Sequence, residues 1–135
     1  NTVAADMYYA LTGIGKSKGF SSLILKEHLK GKKKVCEYWI ACKPGVIDSI
    51  SGIELLKEHK NILAVFPKYS VGSQIPATSG FAQNFCVVHL AYDSKDELAM
   101  VISFIQEKVK VVGVNGEDMI IHKSKDFVEK LLLDN

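Results

Sequence analysis

The sequence predicts an α+β domain built on a largely antiparallel sheet, and three observations point to it. Two S-x-x-E capping boxes, Ser51 with Glu54 and Ser94 with Glu97, each open an amphipathic stretch; in such a box each side chain satisfies a free amide at the helix start. Runs rich in aromatic and β-branched residues, the types that suit a pleated surface, flank both stretches. From Val46 to Val114 the order is therefore strand, helix, strand, loop, strand, helix, strand. That is the split βαβ, ferredoxin-like order, with the helices packed on one face of the sheet.

The elements follow from local pattern. Val3, Met7, Ala10 and Leu11 recur at helical spacing and Gly13 supplies a stop, which predicts a helix over Thr2–Leu11. A second extra N-terminal helix over Ser21–Lys30 ends at Gly31. Tyr38, Trp39 and Ile40 give Val35–Cys42 high strand propensity, and Lys43-Pro44-Gly45 turns the chain into a second strand, Val46–Ile50. The first capping box starts a short helix running to about His59, and Ile62–Phe66 reads as a strand. Val71–Ala82, punctuated by Gly72, Pro76 and Gly80, reads as a loop or irregular hairpin.

Asn84–Tyr92 is a strongly apolar strand, and Leu98, Val101, Ile102, Ile105 and Val109 form a helical stripe behind the second box. Val111–Val114 and Met119–Ile121 flank Asn115-Gly116, a type I′ hairpin signature, and Ser124–Leu133 closes the chain as a helix. One domain over 1–135 results, with a helical lead-in over 1–34, an α+β core over 35–122 and a closing helix over 123–135.

Composition narrows the function. With 47% hydrophobic and 24% charged residues, the 135-residue chain can bury a core, which excludes disorder and a disulfide-dense miniature scaffold. A net charge of +2 is too balanced to imply nucleic acid. No apolar run approaches the ~20 residues of a membrane span, and Asn1–Ala10 lacks the basic start of a signal peptide. The three cysteines, Cys36, Cys42 and Cys86, sit in apolar stretches without C-x-x-C spacing, as free thiols of a reducing cytoplasm do. Every basic residue is lysine, so no guanidinium fork exists for carboxylate or phosphate.

The chemical motifs are decoys. Ala10–Ser17, A-L-T-G-I-G-K-S, matches a phosphate loop except that alanine replaces the first glycine, and a helical segment precedes it where a strand is required. The four histidines fall in different elements without zinc-ligand spacing, and no serine or cysteine sits in a nucleophile elbow. Lys30–Lys34 reads as a solvated turn before a strand rather than a nucleic-acid patch. Tyr38 and Trp39 are candidates for stacking on a ligand, although a tryptophan within a strand more often belongs to the core.

The run E-Y-W-I-A-C-K-P-G-V-I-D-S-I-S-G-I-E at Glu37–Glu54 resembles the C-terminal portion of ATP-grasp ligases, of the biotin carboxylase-like and carboxylate-amine ligase kind. There a strand, a Pro-Gly or Glu-Gly turn, and a strand leading into I-x-G-hydrophobic-E recur. Val65–Ile75, with Lys68-Tyr69 and Val71-Gly72, is similar to a later family segment ending in a glycine-containing turn. Tyr92–Glu97 is similar to its strand followed by S-x-E-E, and Leu11-Thr12-Gly13-Ile14 to the step after its active-site loop.

The resemblance implies a C-terminal, largely structural subdomain whose partner is a nucleotide-binding lobe holding ATP and magnesium. Residues 1–6 stand near the place of the family's Arg-Gly-Gly loop but contain neither residue type. No catalytic, cofactor-binding or metal-ligating residue is carried over to this chain, and a homodimer is compatible with it. Any ligand contact is expected beside Tyr38 or in the loop Val71–Ala82, with Ser73, Gln74 and Thr78 as uncharged hydrogen-bonding groups. A free-standing ferredoxin-like module that binds a small metabolite or regulates is the alternative.

Overall fold

The computed structural model describes residues 32–78, 80–124, 126 and 130. The expected helices Thr2–Leu11 and Ser21–Lys30, the Ala10–Ser17 turn and most of the closing helix lie outside the described residues. In order, the elements are β1 (Lys34–Ala41), β2 (Gly45–Ser51), α1 (Ile53–Lys57), β3 (Ile62–Pro67), β4 (Gln74–Ile75), a 3₁₀ turn (Phe81–Gln83), β5 (Asn84–Tyr92), α2 (Lys95–Lys108) and β6 (Lys110–Gly113). The fold is α+β, every strand pairing is antiparallel, and the split βαβ order runs from β2 to β6.

The strands divide between two three-stranded sheets, ordered β1-β5-β3 and β4-β2-β6. In a ferredoxin-like sheet the strand in the place of β2 lies beside β5; here β1 occupies that position, with Tyr38 opposite Val88 and Trp39 opposite Val87. The reason is length and composition. β1 offers eight residues of apolar and aromatic character to a nine-residue partner, whereas β2 carries Asp48, Ser49 and Ser51. A strap after β6 joins the sheets: Lys43 N–H donates to the Met119 carbonyl at 2.7 Å, and Ile121 N–H to Ala41 at 2.9 Å. On its other side Met119 N–H donates to Val111 at 2.9 Å.

One core collects residues from both sheets and both helices. Cross-strand partners share a face, so Tyr38, Ile40, Cys86, Val88 and Leu90 line one side of the first sheet. Val101, Ile102 and Ile105 of α2 are buried within the same cluster, as their i, i+1, i+4 spacing requires. Fully burying each contributes about 1.5–3 kcal/mol. Leu98, on the predicted stripe, is only half-buried.

The two predicted capping boxes have different outcomes. At α2, Ser94 Oγ accepts from Glu97 N–H at 3.2 Å, while Glu97 Oε2 accepts from Asp93 N–H at 2.8 Å. Glu97 also receives Lys32 Nζ at 2.6 Å, which ties the start of β1 to the start of α2. At α1 no side chain caps the helix: the N-cap is Gly52, not Ser51, with φ +86°. A left-handed backbone carries the chain directly from β2 into α1, which ends at Lys57 rather than His59.

A Cβ on Gly52 would overlap the Lys108 carbonyl, because the C-terminus of α2 lies against this turn. The hairpin after β6 departs from expectation too. Gly116 N–H donates to Gly113 at 2.8 Å and Gly113 N–H to Glu117 at 2.9 Å, leaving a three-residue loop that ends in Gly116 at φ +80°. That is a turn with a glycine bulge rather than a two-residue type I′ turn.

Gly52 and Gly72 share a φ of +86°, but nothing lies within 4 Å of a Cβ built on Gly72. Gly72→Ala is expected to cost about 1–2 kcal/mol, the strain of a left-handed alanine. Gly52→Ala adds the clash with the Lys108 carbonyl and should exceed about 3 kcal/mol. Urea unfolding of both variants checks this; equal losses would mean that the α2 terminus does not constrain the turn.

Candidate functional site

A groove of small-molecule size, about 390 Å³, lies among the described residues. Small-molecule sites commonly measure about 300–1,000 Å³. Ser51 and Gly52 form one end, the first turn of α1 (Ile53, Glu54, Leu55) one wall, and the segment after β3 (Pro67, Tyr69, Ser70, Val71) the other. The left-handed turn at Gly52 creates the space by swinging α1 away from the line of β2.

Three of the groove's polar residues, Tyr69, Ser70 and Glu54, are already engaged. Tyr69 donates its hydroxyl to the Ala82 carbonyl at 2.6 Å, which pins the two ends of the predicted loop together. Ser70 N–H donates to Ser73 Oγ at 3.2 Å, and Glu54 pairs with Lys57 at 3.0 Å. What the groove presents is chiefly apolar, with Leu55 and Val71 exposed at its rim. It suits an aliphatic or aromatic group better than a charged one.

The residues expected to face substrate are dispersed. Tyr38 is buried on the α2-covered side of β1, where burial pushes its hydroxyl up to about 12. Ser73 spends its backbone in the turn, donating to Ser70 at 3.0 Å and accepting from Ile47 at 3.0 Å. Gln74 is exposed in β4, its amide donating to the Ile75 carbonyl at 3.2 Å, and Thr78 is exposed beyond Pro76. The first half of the loop is therefore packed structure: β4 pairs with Gly45 and Val46, and Ile75 is fully buried.

A second feature lies on the outer face of the first sheet. Trp39 meets Phe81 edge to face at 5.2 Å, and Lys68 Nζ sits 4.7 Å from the Trp39 ring and 5.5 Å from that of Phe81. Phe66 packs edge-on to His89 at 5.1 Å, and His89 approaches Glu37 at 3.4 Å. Trp39 is visible in the sequence as a stacking candidate; Lys68 and Phe81 are not, because only the β1–β5–β3 register brings their segments together.

Acid–base chemistry has little to build on here. Asp118 and His122 form a surface pair at 2.7 Å, and Asp118 stays below the usual carboxylate range; burial opposes that shift, but hydrogen bonds from His122 and the Ile120 amide outweigh it. Burial raises Cys42 to about 12 and Cys86 to about 11, the reverse of an activated thiol. Among the described residues no group of three or more His, Cys, Asp or Glu side chains is placed together.

Cys42, Cys86 and Tyr38 hold their protons more tightly when folded than the ordinary values of 9.0 for a thiol and 10.0 for a phenol. For such acids stability is complete below about pH 9 and falls as pH climbs from there toward 11–12, because only the unfolded chain ionises. The urea midpoint should drop over that window, and drop less in Cys86→Ala; equal slopes would mean the thiol is not shielded. In hydrogen exchange, Phe85–Tyr92 should be slowest, Gly72 intermediate through its 2.8 Å bond to Ile47, and Ala77 and Thr78 fastest. Uniform protection from residue 71 to 82 would contradict the divided loop.

Comparisons of the chain with family models, with curated proteins and with solved structures gave no match.

Proposed function

We propose that this chain is the C-terminal, largely structural subdomain of an ATP-dependent ligase of the carboxylate-amine or biotin carboxylase-like kind, with no catalysis of its own. One observation carries the reading. The run Glu37–Glu54, on which the resemblance rests, coincides with a continuous unit of β1, turn, β2, Gly52 and the first turn of α1. The glycine of I-x-G-hydrophobic-E stands where only glycine fits. Supporting it, the chain has no arginine to clamp an acyl phosphate or nucleotide.

On this reading the partner is the preceding nucleotide-binding lobe, which binds ATP and magnesium, transfers phosphate to a carboxylate and passes the acyl group to an amine. The subdomain backs that lobe and lends the apolar groove beside Gly52 as one wall of the amino-acid site. The three free thiols support a cytoplasmic setting. Among the described residues no helix is long and apolar enough to cross a membrane. The groove's size favours a second reading, a free-standing module that binds a small metabolite.

Calorimetry of the isolated chain with Mg-ATP should be silent, while the full open reading frame should consume ATP when given a carboxylate and an amine. Micromolar binding by the chain alone would overturn the proposal and return attention to Lys16 and Ser17. ATP turnover absent from the full reading frame would leave the metabolite-binding module as the better account.

A further inference from the structure

Tyr38 is 8% exposed, and it lines a cavity of about 10 Å³ together with Ile40, Ile105, Gln106, Val109, Ile120 and Ile121. Roughly 10–15 Å³ of such space is what one water molecule needs. Among the described residues no protein group makes a hydrogen bond with the Tyr38 hydroxyl. Buried hydroxyls are rarely left so, because desolvation without a partner is unfavourable.

The lining offers one other strongly polar residue. Gln106 belongs to the last turn of α2, whose final carbonyls have no donor within the helix. The Ile105 carbonyl is taken by Val109 N–H at 3.0 Å. The Gln106 side-chain oxygen accepts from Lys123 N–H at 2.8 Å, which leaves the side-chain amide nitrogen for a further partner. The remaining lining residues are aliphatic, so a polar guest has a defined pair of neighbours.

We propose that this cavity is a built hydration site, in which a single water accepts from the Tyr38 hydroxyl and from the Gln106 side-chain amide. The water links β1 to the end of α2 at the point where Lys123 leads into the last segment of the chain. Tyr38 serves there as a neutral donor holding the core together.

The test combines a crystal structure at atomic resolution with a double-mutant cycle. The wild-type protein should show a water within hydrogen-bond distance of Tyr38 Oη and Gln106. Tyr38→Phe should lose that water and lower the folded-to-unfolded ratio about fivefold. Combined with Gln106→Leu, it should lose less than the two single variants together, because both remove the same bridge. A Phe variant as stable as wild type, strictly additive losses, or density showing the hydroxyl bonded directly to protein would overturn the proposal.

Discussion

The contact between Gly52 and the Lys108 carbonyl is the constraint on which much of the fold depends. At this point the chain leaving β2 turns into α1, and the chain leaving α2 turns into β6. Because β2 and β6 are also hydrogen-bonded neighbours, with Ser51 opposite Lys110, the two crossovers are fixed against each other at a single position. Moving either backbone away to admit a side chain would pull on the β2–β6 ladder, on α1 and on the groove that α1 bounds. The register of the second sheet, the placement of the short helix and the shape of the groove are thus consequences of one missing Cβ.

The first sheet has a different logic. β5 lies between β1 and β3, and most of its residues are buried on both faces, which explains why its sequence is nearly continuous apolar rather than alternating. On the outer side, the described residues supply cover with aromatic edges and the Lys68 stem. Such contacts are individually modest, about 0.5–1 kcal/mol for an exposed cation over a ring. They leave Phe66 and Phe81 substantially in solvent.

What is legible in the sequence is whatever local chemistry decides. The stripe Val101, Ile102 and Ile105, the cap at Ser94 and the strand character of β5 all appear in the fold. The box at Ser51 does not form, since a capping serine supplies one hydrogen bond whereas the crowding at Lys108 demands a left-handed glycine. The division into two sheets is not legible because strand partnership is a long-range choice; nothing within β1 states that it will displace β2 beside β5. The groove is hidden for a related reason. Its walls come from segments whose approach depends on Gly52 and on the Tyr69 hydroxyl reaching Ala82. Tyr38 stands out in the sequence for its type, but alternation along β1 turns it inward, and no local signal fixes the phase of that alternation.

The pairing of β1 with β5 has a further consequence during synthesis. Lys34 pairs with Tyr92, so β1 emerges from the ribosome well before the strand that will cover it exists. At ~5–20 residues per second the wait is on the order of several seconds. Throughout that interval an apolar, aromatic segment of high β propensity stands with its backbone unpaired, the condition under which chains adhere to one another. The lysines at 32 and 33 lie immediately before it, and Lys34 is its first residue. In the folded protein Lys32 is an anchor for Glu97; before folding, adjacent like charges beside such a segment disfavour its self-association.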